Sequence, residues 1–380
     1  MTDVYVVGTD MIKFGRFPER SVPDLGAEAA LLALDDCGLS INDMQALYCG
    51  NLGEASAMVG QRVLREIGQT GIPVVNVANA CATGATAFRE GWMAIKAGVY
   101  DIVLAVGVEQ MGKGLLGGAG GGSGIPTEGL LGSGTMPATF AHVGMEHARK
   151  YGTTFEQFAK VSVKNHHHST LNPKAMYQIE TPLQEVMGAE MISYPNTKLM
   201  CSVNVDGSAA AVLCSEKKAK ELGLMGRAVK VRGSALTSDP YTTRNFAQAD
   251  FNGATRNAAK IAYEMAGVGP EDLNLVELHD CFATAEIVHY ENLGLCADGE
   301  AGRMIDTGAT ALGGKIPVNV SGGLLSKGHP LGATGIANIY EITTHLRGEA
   351  GQRQVEGARI GLTHVVGMGG ACAIHVLEKA

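Results

Sequence analysis

A cysteine and a histidine stand at matching points of two similar stretches, NACATGAT around Cys81 and SKGHPLGATG around His329. Aligning Gly84-Ala85-Thr86 with Gly332-Ala333-Thr334 gives an offset of 332 − 84 = 248, and 81 + 248 is position 329. A thiol and a base at equivalent places in a duplicated unit point to covalent acyl chemistry, in which the sulfur carries an acyl group and the imidazole moves its proton. Cys81 follows the apolar run PVVNV and precedes the helical pattern ATGATAFREGWMAIKAG, so its sulfur belongs at a helix N-terminus. There the helix dipole favours thiolate and can bring a cysteine pKa from about 8.5 to well below 7.5. A lone cysteine among apolar residues reads first as packing; the duplicated context and its partners reverse that reading. His329, held between Gly328 and Pro330, could act as base, or could donate to a carbonyl oxygen that gains charge as a carbon–carbon bond forms or breaks.

The block ELHDCF places His279 and Cys281 directly after the predicted strand LVEL, and the end of a parallel strand is where α/β sheets gather functional groups. A second thiol there can exchange protons with another sulfur or a carbon acid at small energetic cost. Zinc is the competing reading of Cys81, His279, Cys281 and His329. These four lack compact ligand spacing along the chain, and no metal is expected.

The elements that carry these residues repeat as well. In AALLALDDCGLSINDMQAL (29–47) and AAKIAYEMAGVGPEDLNLV (258–276), offset by 229, Ala29, Ala30, Ala33, Gly38 and Asp43 recur as Ala258, Ala259, Ala262, Gly267 and Asp272. GSAAAVL from Gly207 and GACAIHVLEKA from Gly370 make a third pair. So long a repeat predicts two similar packed halves rather than a solenoid. Strands and helices alternate in both. The first half reads VYVVG, a helix over about 24–37, ALYCG, PVVNV, a helix after Cys81 and DIVLAVGVE; the second reads KVRGSAL, a helix near 254–266, LVELHD, IPVNVS, a helix after His329 and RIGLTHVVG. This alternation predicts an α/β fold with largely parallel sheets covered on both faces. Residues 112–200 interrupt it with Gly117 to Gly124, several prolines and His166-His167-His168, an inserted lobe suited to ligand contacts.

The 380 residues, 46% hydrophobic and 18% charged, are ample for two cores. A net charge of −8 argues against general nucleic-acid or anionic-membrane binding. No apolar run reaches the roughly 18 residues of a membrane span, the start lacks a signal-peptide pattern, and eight cysteines without CxxC pairs fit reduced thiols, so a cytoplasmic location is expected.

Together NACATGAT, HDCF, SKGHPLGATG and the terminal GMGGA resemble a thiolase of the sterol-carrier-protein type, in which HDCF replaces the Asn-Glu-Ala-Phe block of ordinary thiolases. The resemblance spans nearly the whole chain, KNHHHSTLNP included. It implies the thiolase fold: two βαβαβαββ halves, over 1–220 and 221–380, forming a five-layer αβαβα arrangement, with the loop domain of about 112–200 inserted in the first. It implies ping-pong acyl transfer that cleaves a 3-ketoacyl-CoA with CoA, as in fatty acid β-oxidation, or runs the reverse Claisen condensation. Cys81 would carry the acyl group and His329 would activate it and share one oxyanion hole. His279 would hold the water or oxygen completing that hole, and Cys281 would move the proton. The amides of Cys81 and Gly367 would form the second oxyanion hole. Coenzyme A would be a substrate, with no permanently bound cofactor, and the chain would form a homodimer or homotetramer through its N-terminal half.

One departure stands out. Where ordinary thiolases carry their second catalytic cysteine this chain has Val365, and Cys372 reads as core, so proton transfer falls to Cys281. The glycine-rich segment lacks the GK[ST] ending of a phosphate loop, and His166 to His168 read as surface or packing residues. No sterol-carrier domain is expected behind the motifs, and LEKA is not a peroxisomal address. Two alternatives stay open: a thiolase-like subunit acting as acyltransferase or retro-aldolase beside a small OB-fold acyl-CoA-binding partner, and a noncatalytic acyl-CoA or lipid carrier.

Overall fold

A computed structural model describes residues 2–112, 135–240, 251–368 and 370–380; the glycine-rich segment Gly117 to Gly124 lies outside them. The first half contains β1 (Val4–Met11), α1 (Val22–Asp36), β2 (Leu47–Gly50), α2 (Val59–Ile67), β3 (Val74–Val77), α3 (Thr83–Lys96), β4 (Ile102–Glu109) and β7 (Gly207–Ser215). Between β4 and β7 the lobe supplies α4 (Met136–Tyr151), α5 (Phe155–Thr170), α6 (Leu183–Gly188) and the hairpin β5 (Met191–Ser193) and β6 (Asn196–Thr197). After α7 (Glu216–Glu221) the second half runs β8 (Val229–Thr237), α8 (Phe251–Ala266), β9 (Leu275–Glu277), α9 (Ala283–Asn292), α10 (Ala301–Asp306), α11 (Leu331–Arg347), β10 (Ile360–Gly367) and β11 (Ala371–Lys379).

The strands join edge to edge in the order β3-β2-β4-β7-β1-β8-β11-β10-β9. Each half therefore follows one plan outward from the β1·β8 seam, where Tyr5 and Val6 pair antiparallel with Lys230 and Val229. The sheets are mixed rather than wholly parallel: β7 runs against both β1 and β4, and β11 against β8 and β10. β11 follows β10 through a tight turn, and a direct hairpin connection forces the antiparallel direction. The expected strand IPVNVS reduces to one bridge, Val318 to Val276. Asn319 turns left-handed there (φ 54°) and spends its side chain on the Leu278 amide and the Glu286 carboxylate.

Period-two alternation sets the layers. On β4, Ile102, Leu104, Val106 and Val108 face the core under α1 and α2, while Val103 and Ala105 face a central core with α3 and α11. On the far side α8 and α9 cover the second sheet. The result is the expected five-layer αβαβα arrangement, and strands sandwiched between helix layers must be apolar on both faces.

The repeated residues now have physical causes. α1 is started by a capping box, with Ser21 accepting from the Asp24 amide and Asp24 accepting from the Ser21 amide. Gly38 and Gly267 follow α1 and α8 with φ of +67° and +66°, a conformation that costs a Cβ-bearing residue about 1 kcal/mol or more. Asp43 and Asp272 each accept a backbone N–H three residues upstream at 2.8 Å, from Ser40 and Gly269. The Gly-Ala-Thr repeat marks where α3 and α11 cross: a Cβ on Gly84 would lie 2.6 Å from the Gly332 carbonyl oxygen, and one on Gly335 would meet the Ala85 amide closer still. Only backbone fits at this contact, and it brings the N-termini of the two helices together.

Candidate active site

Cys81 sits in the turn between β3 and α3, half-buried, two residues ahead of the first helical residue. Its neighbour Ala80 is held at φ 47°, left-handed for a residue with a Cβ, at a cost of order 1–3 kcal/mol. Thr83 maintains that turn: its hydroxyl donates to the Ala80 carbonyl (2.6 Å) and accepts from the Asn79 amide (2.7 Å). Asn79 in turn donates to Thr86, whose hydroxyl donates to the Ala82 carbonyl.

His329 lies two residues ahead of α11, after a five-residue π-helical turn over Gly323–Lys327. Its Nδ1 lies 2.8 Å from the Thr334 hydroxyl, which itself donates to the Pro330 carbonyl at 3.0 Å. With the hydroxyl proton committed there, the imidazole must donate from Nδ1, which leaves the Nε2 lone pair free. That Nε2 faces the Nε2 of His279 at 3.5 Å, with the rings in edge-to-face contact at 5.2 Å. The ligating atoms of Cys81, His279 and His329 all lie within 4.8 Å of one another. Residues 248 apart in sequence thus converge on one point, and the sequence argument against a metal, from spacing alone, does not survive folding.

Cys281 lines the same narrow pocket, whose walls include Met136, Phe140, Phe251, Phe282, Val366 and Met368. Phe140 stacks on Phe251 at 4.9 Å and on Phe282 at 5.2 Å, so three phenyl rings form one wall. Phe140 belongs to α4, so the lobe helps close the pocket. The lobe also reaches beneath it, where Asn165 of α5 donates to both Asp280 and Glu286, and Lys164 pairs with Glu286 at 2.6 Å.

Of the expected second oxyanion hole, Gly367 packs against the Asn79 carbonyl, while the amides that hydrogen-bond the Cys81 sulfur are those of Met368 and of Cys81 itself. Val365 is buried with Ala82, Ala85 and Ala373, a cluster against which Cys81 packs. Cys372 is fully buried in the outer core, away from the pocket lining. His166 and His168 are buried, and His168 is satisfied by the Asn319 carbonyl and the Leu312 amide; His167 is exposed beside Glu180.

Several positioning residues lie outside the expected catalytic set. His364 Nδ1 accepts the His279 backbone N–H at 3.4 Å, and its other nitrogen reaches Thr255. Asp280 accepts the Leu324 amide at 2.8 Å and so anchors the π-helical turn before His329. Glu109, at the end of β4, accepts from Leu52, Gly53 and Gly332, tying the start of α11 to the first half. Asp280 could have been suspected from its place inside HDCF. His364 is one of alternating residues in a strand and had no signal.

The electrostatics differ from the expectation of a lowered thiol pKa. Burial pushes the Cys81 thiol up to about 12, only partly offset by the amide hydrogen bonds. Burial, then the nearby Cys81 and Asp280, raises Cys281 well above its ordinary value. Burial takes His279 down to about 3, and burial with repulsion from His279 and Lys327 holds His329 well below 6.5. The resting site is therefore a neutral thiol beside a neutral base, and the helix end does not overcome dehydration of the sulfur. The sign follows: His329 stays a free base as the solution falls below pH 6.5, and Cys81 keeps its proton through the alkaline range. The acylation rate of Cys81 is expected to be level from about pH 6 to about pH 9. A stopped-flow profile with a limb centred near 6.5 or 8.5 would instead indicate ordinary, unshifted groups.

Comparison with known proteins bears on this site. The model for the thiolase N-terminal domain matches residues 4–190, and that for a thiolase C-terminal domain-like region matches 240–379. An acetyl-CoA acetyltransferase of Methanothermobacter thermautotrophicus is 40% identical over 395 residues, covering 100% of both chains. This chain belongs to the thiolase family. Sterol carrier protein 2 of Homo sapiens is 40% identical to this thiolase over 98% of the chain and 71% of its own length. The benzoylsuccinyl-CoA thiolase subunit BbsB of Thauera aromatica is 35% identical over 96% of the chain and 95% of its own. The thiolase fold is shared with a solved Ltp2-ChsH2(DUF35) aldolase (TM-score 0.84, 22% identity, 99% and 98% coverage). It is shared too with human mitochondrial 3-ketoacyl-CoA thiolase (TM-score 0.73, 19% identity, 99% and 98% coverage).

Proposed function

We propose that this thiolase cleaves a 3-ketoacyl-CoA with CoA, or runs the reverse condensation, through a thioester on Cys81. The observation that carries the reading is the convergence of the Cys81 sulfur with a ring nitrogen of each of His279 and His329 within 4.8 Å in a mainly apolar pocket. As the sulfur attacks the C3 carbonyl, its proton passes to His329 Nε2. The C2–C3 bond breaks, and its electron pair goes to C2 as the enolate of acetyl-CoA. The Nε2–H groups of His279 and protonated His329 point at the enolate oxygen, where each donor is worth roughly 3 kcal/mol. Cys281 then protonates C2. In the second half CoA gives its thiol proton to Cys281 and attacks the thioester, and Cys81 recovers its proton from His329. The amides of Cys81 and Gly367, with that of Met368 beside them, serve the C3 oxyanion.

Phe251 lines both this pocket and an adjoining cleft that carries Lys150 and Arg256, the latter paired with Asp298, a route for the pantetheine arm and phosphates of CoA. Among the described residues β3 is an edge strand, with Val75 exposed and no strand on its outer side, which suits pairing with a second copy through the N-terminal half. The units 1–220 and 221–380 are proposed with the same reading. A partner-dependent acyltransferase or aldolase is the second reading, favoured because BbsB is named a subunit and the Ltp2 structure is a complex with ChsH2(DUF35). No helix among the described residues is long and apolar enough to cross a membrane; a cytoplasmic location belongs to the proposal.

The test is intact mass and peptide mapping after brief exposure to acetoacetyl-CoA without free CoA. An acetyl adduct confined to Cys81 is expected. No adduct, with a longer branched 3-ketoacyl-CoA also failing, would shift the reading to the partner-dependent complex or a carrier.

A further inference from the structure

We infer that Cys81, His279 and His329 also form a one-to-one binding site for Zn2+, and that the metal shuts the enzyme by occupying the nucleophile. Its inhibitory consequence rests on the proposed function; the binding stands on geometry alone. The two Nε2 atoms are 3.5 Å apart, long for a hydrogen bond to nitrogen, which centres on about 2.9–3.0 Å. Two nitrogens sharing a tetrahedral zinc at about 2.0–2.1 Å stand about 3.4 Å apart. The rings are thus spaced for a shared cation better than for each other. The sulfur lies within 4.8 Å of both nitrogens, and a tetrahedral site wants it at about 3.6 Å, a shift that rotation of the half-buried side chain can supply.

The surroundings fit as well. The His329 Nδ1–H directed at the Thr334 hydroxyl is the outer hydrogen bond that orients a metal-ligating histidine and leaves its Nε2 bare. His279 Nδ1 is buried without a partner, so it can take the ring proton and free the other nitrogen. One thiolate and two imidazoles make a donor set for zinc rather than for magnesium or calcium. The fourth position faces the pocket, open to water or to Cys281. On binding, Zn2+ displaces the Cys81 proton to solvent and a sulfur–zinc bond forms; nothing is oxidised or reduced. A thioester on Cys81 removes that ligand, so acyl group and metal exclude one another.

The experiment titrates the metal-stripped full chain with ZnCl2 against a chromophoric zinc indicator, and with Co2+ to read sulfur-to-metal charge transfer. One equivalent should bind with charge transfer and inhibit in parallel. Cys81→Ser and His279→Gln should each weaken binding by at least about 100-fold, and Cys372→Ala should leave it unchanged. Wild-type protein acetylated by acetoacetyl-CoA should not bind until CoA removes the acetyl group, a control that needs no variant to fold. Affinity weaker than roughly 10 µM, or binding that persists in Cys81→Ser and in acetylated protein, would overturn the inference. An acetyl adduct without zinc binding sinks the metal site alone; zinc binding without an adduct sinks the thiolase mechanism.

Discussion

Cys81→Ala is expected to lose the acetyl adduct and at least about 10^4-fold in turnover, because removal of the nucleophile leaves the other groups nothing to act on. The fold should survive. Cys81 is half-buried, and the strained turn that presents it is held by Thr83 and Asn79, not by the sulfur. The sulfur accepts from the Met368 amide, in the turn after β10, and from its own backbone amide. The thermal midpoint and the circular dichroism spectrum should stay close to wild type while activity disappears. A carrier, which only holds acyl-CoA, would be indifferent to the change. Acyl-CoA binding and turnover measured on the same preparation separate the two, and retained turnover would end the covalent mechanism.

Cys281→Ala should have the next largest effect, with a different signature. Turnover should fall by about 10^3-fold, within the range of a lost general acid–base group, while Cys81 still becomes acylated by a 3-ketoacyl-CoA. Acylation needs only Cys81 and His329, whereas protonation of C2 and deprotonation of CoA need a second thiol in the pocket. Val365, at the place where ordinary thiolases have that thiol, has no proton to move and is packed among alanines. Cys372→Ala should change turnover by less than roughly two-fold, since its sulfur is buried beside Thr255 and does not line the pocket. Single-turnover acylation together with steady-state rates checks all three variants. Near-normal kinetics for Cys281→Ala would remove it from the mechanism.

Much of the architecture was legible because its causes are local or periodic. The helix expected over about 24–37 is Val22–Asp36, set by a capping box at one end and a left-handed glycine at the other. The repeated Gly38/Gly267 and Asp43/Asp272 pairs are turn chemistry, and the repeated Gly-Ala-Thr is the steric requirement of two crossing helices. Strand direction was less legible, because an antiparallel β7 or β11 has the same two-sided apolar pattern as a parallel strand once helices cover both faces. IPVNVS looked like a strand and became a single bridge, since the backbone turns left-handed at Asn319, whose side chain is held by Leu278 and Glu286.

The sequence by itself determined which groups could do the chemistry: two cysteines, two histidines, the duplicated frame that carries them and the valine where ordinary thiolases have their second catalytic thiol. Tertiary structure alone decided their state. Whether a thiol at a helix end is lowered or raised depends on how much water the rest of the fold removes from it, and here burial wins, at about 12. Thr334 is four residues from Pro330, yet that its hydroxyl fixes the His329 tautomer follows only from the folded hydrogen bonds. The Met368 amide that donates to the Cys81 sulfur, the His364 nitrogen that accepts the His279 backbone N–H, and the 3.5 Å approach of two imidazoles come from contacts across the assembled sheets. Desolvation and long-range geometry are sums over everything that packs around a residue, and no window of sequence contains that sum.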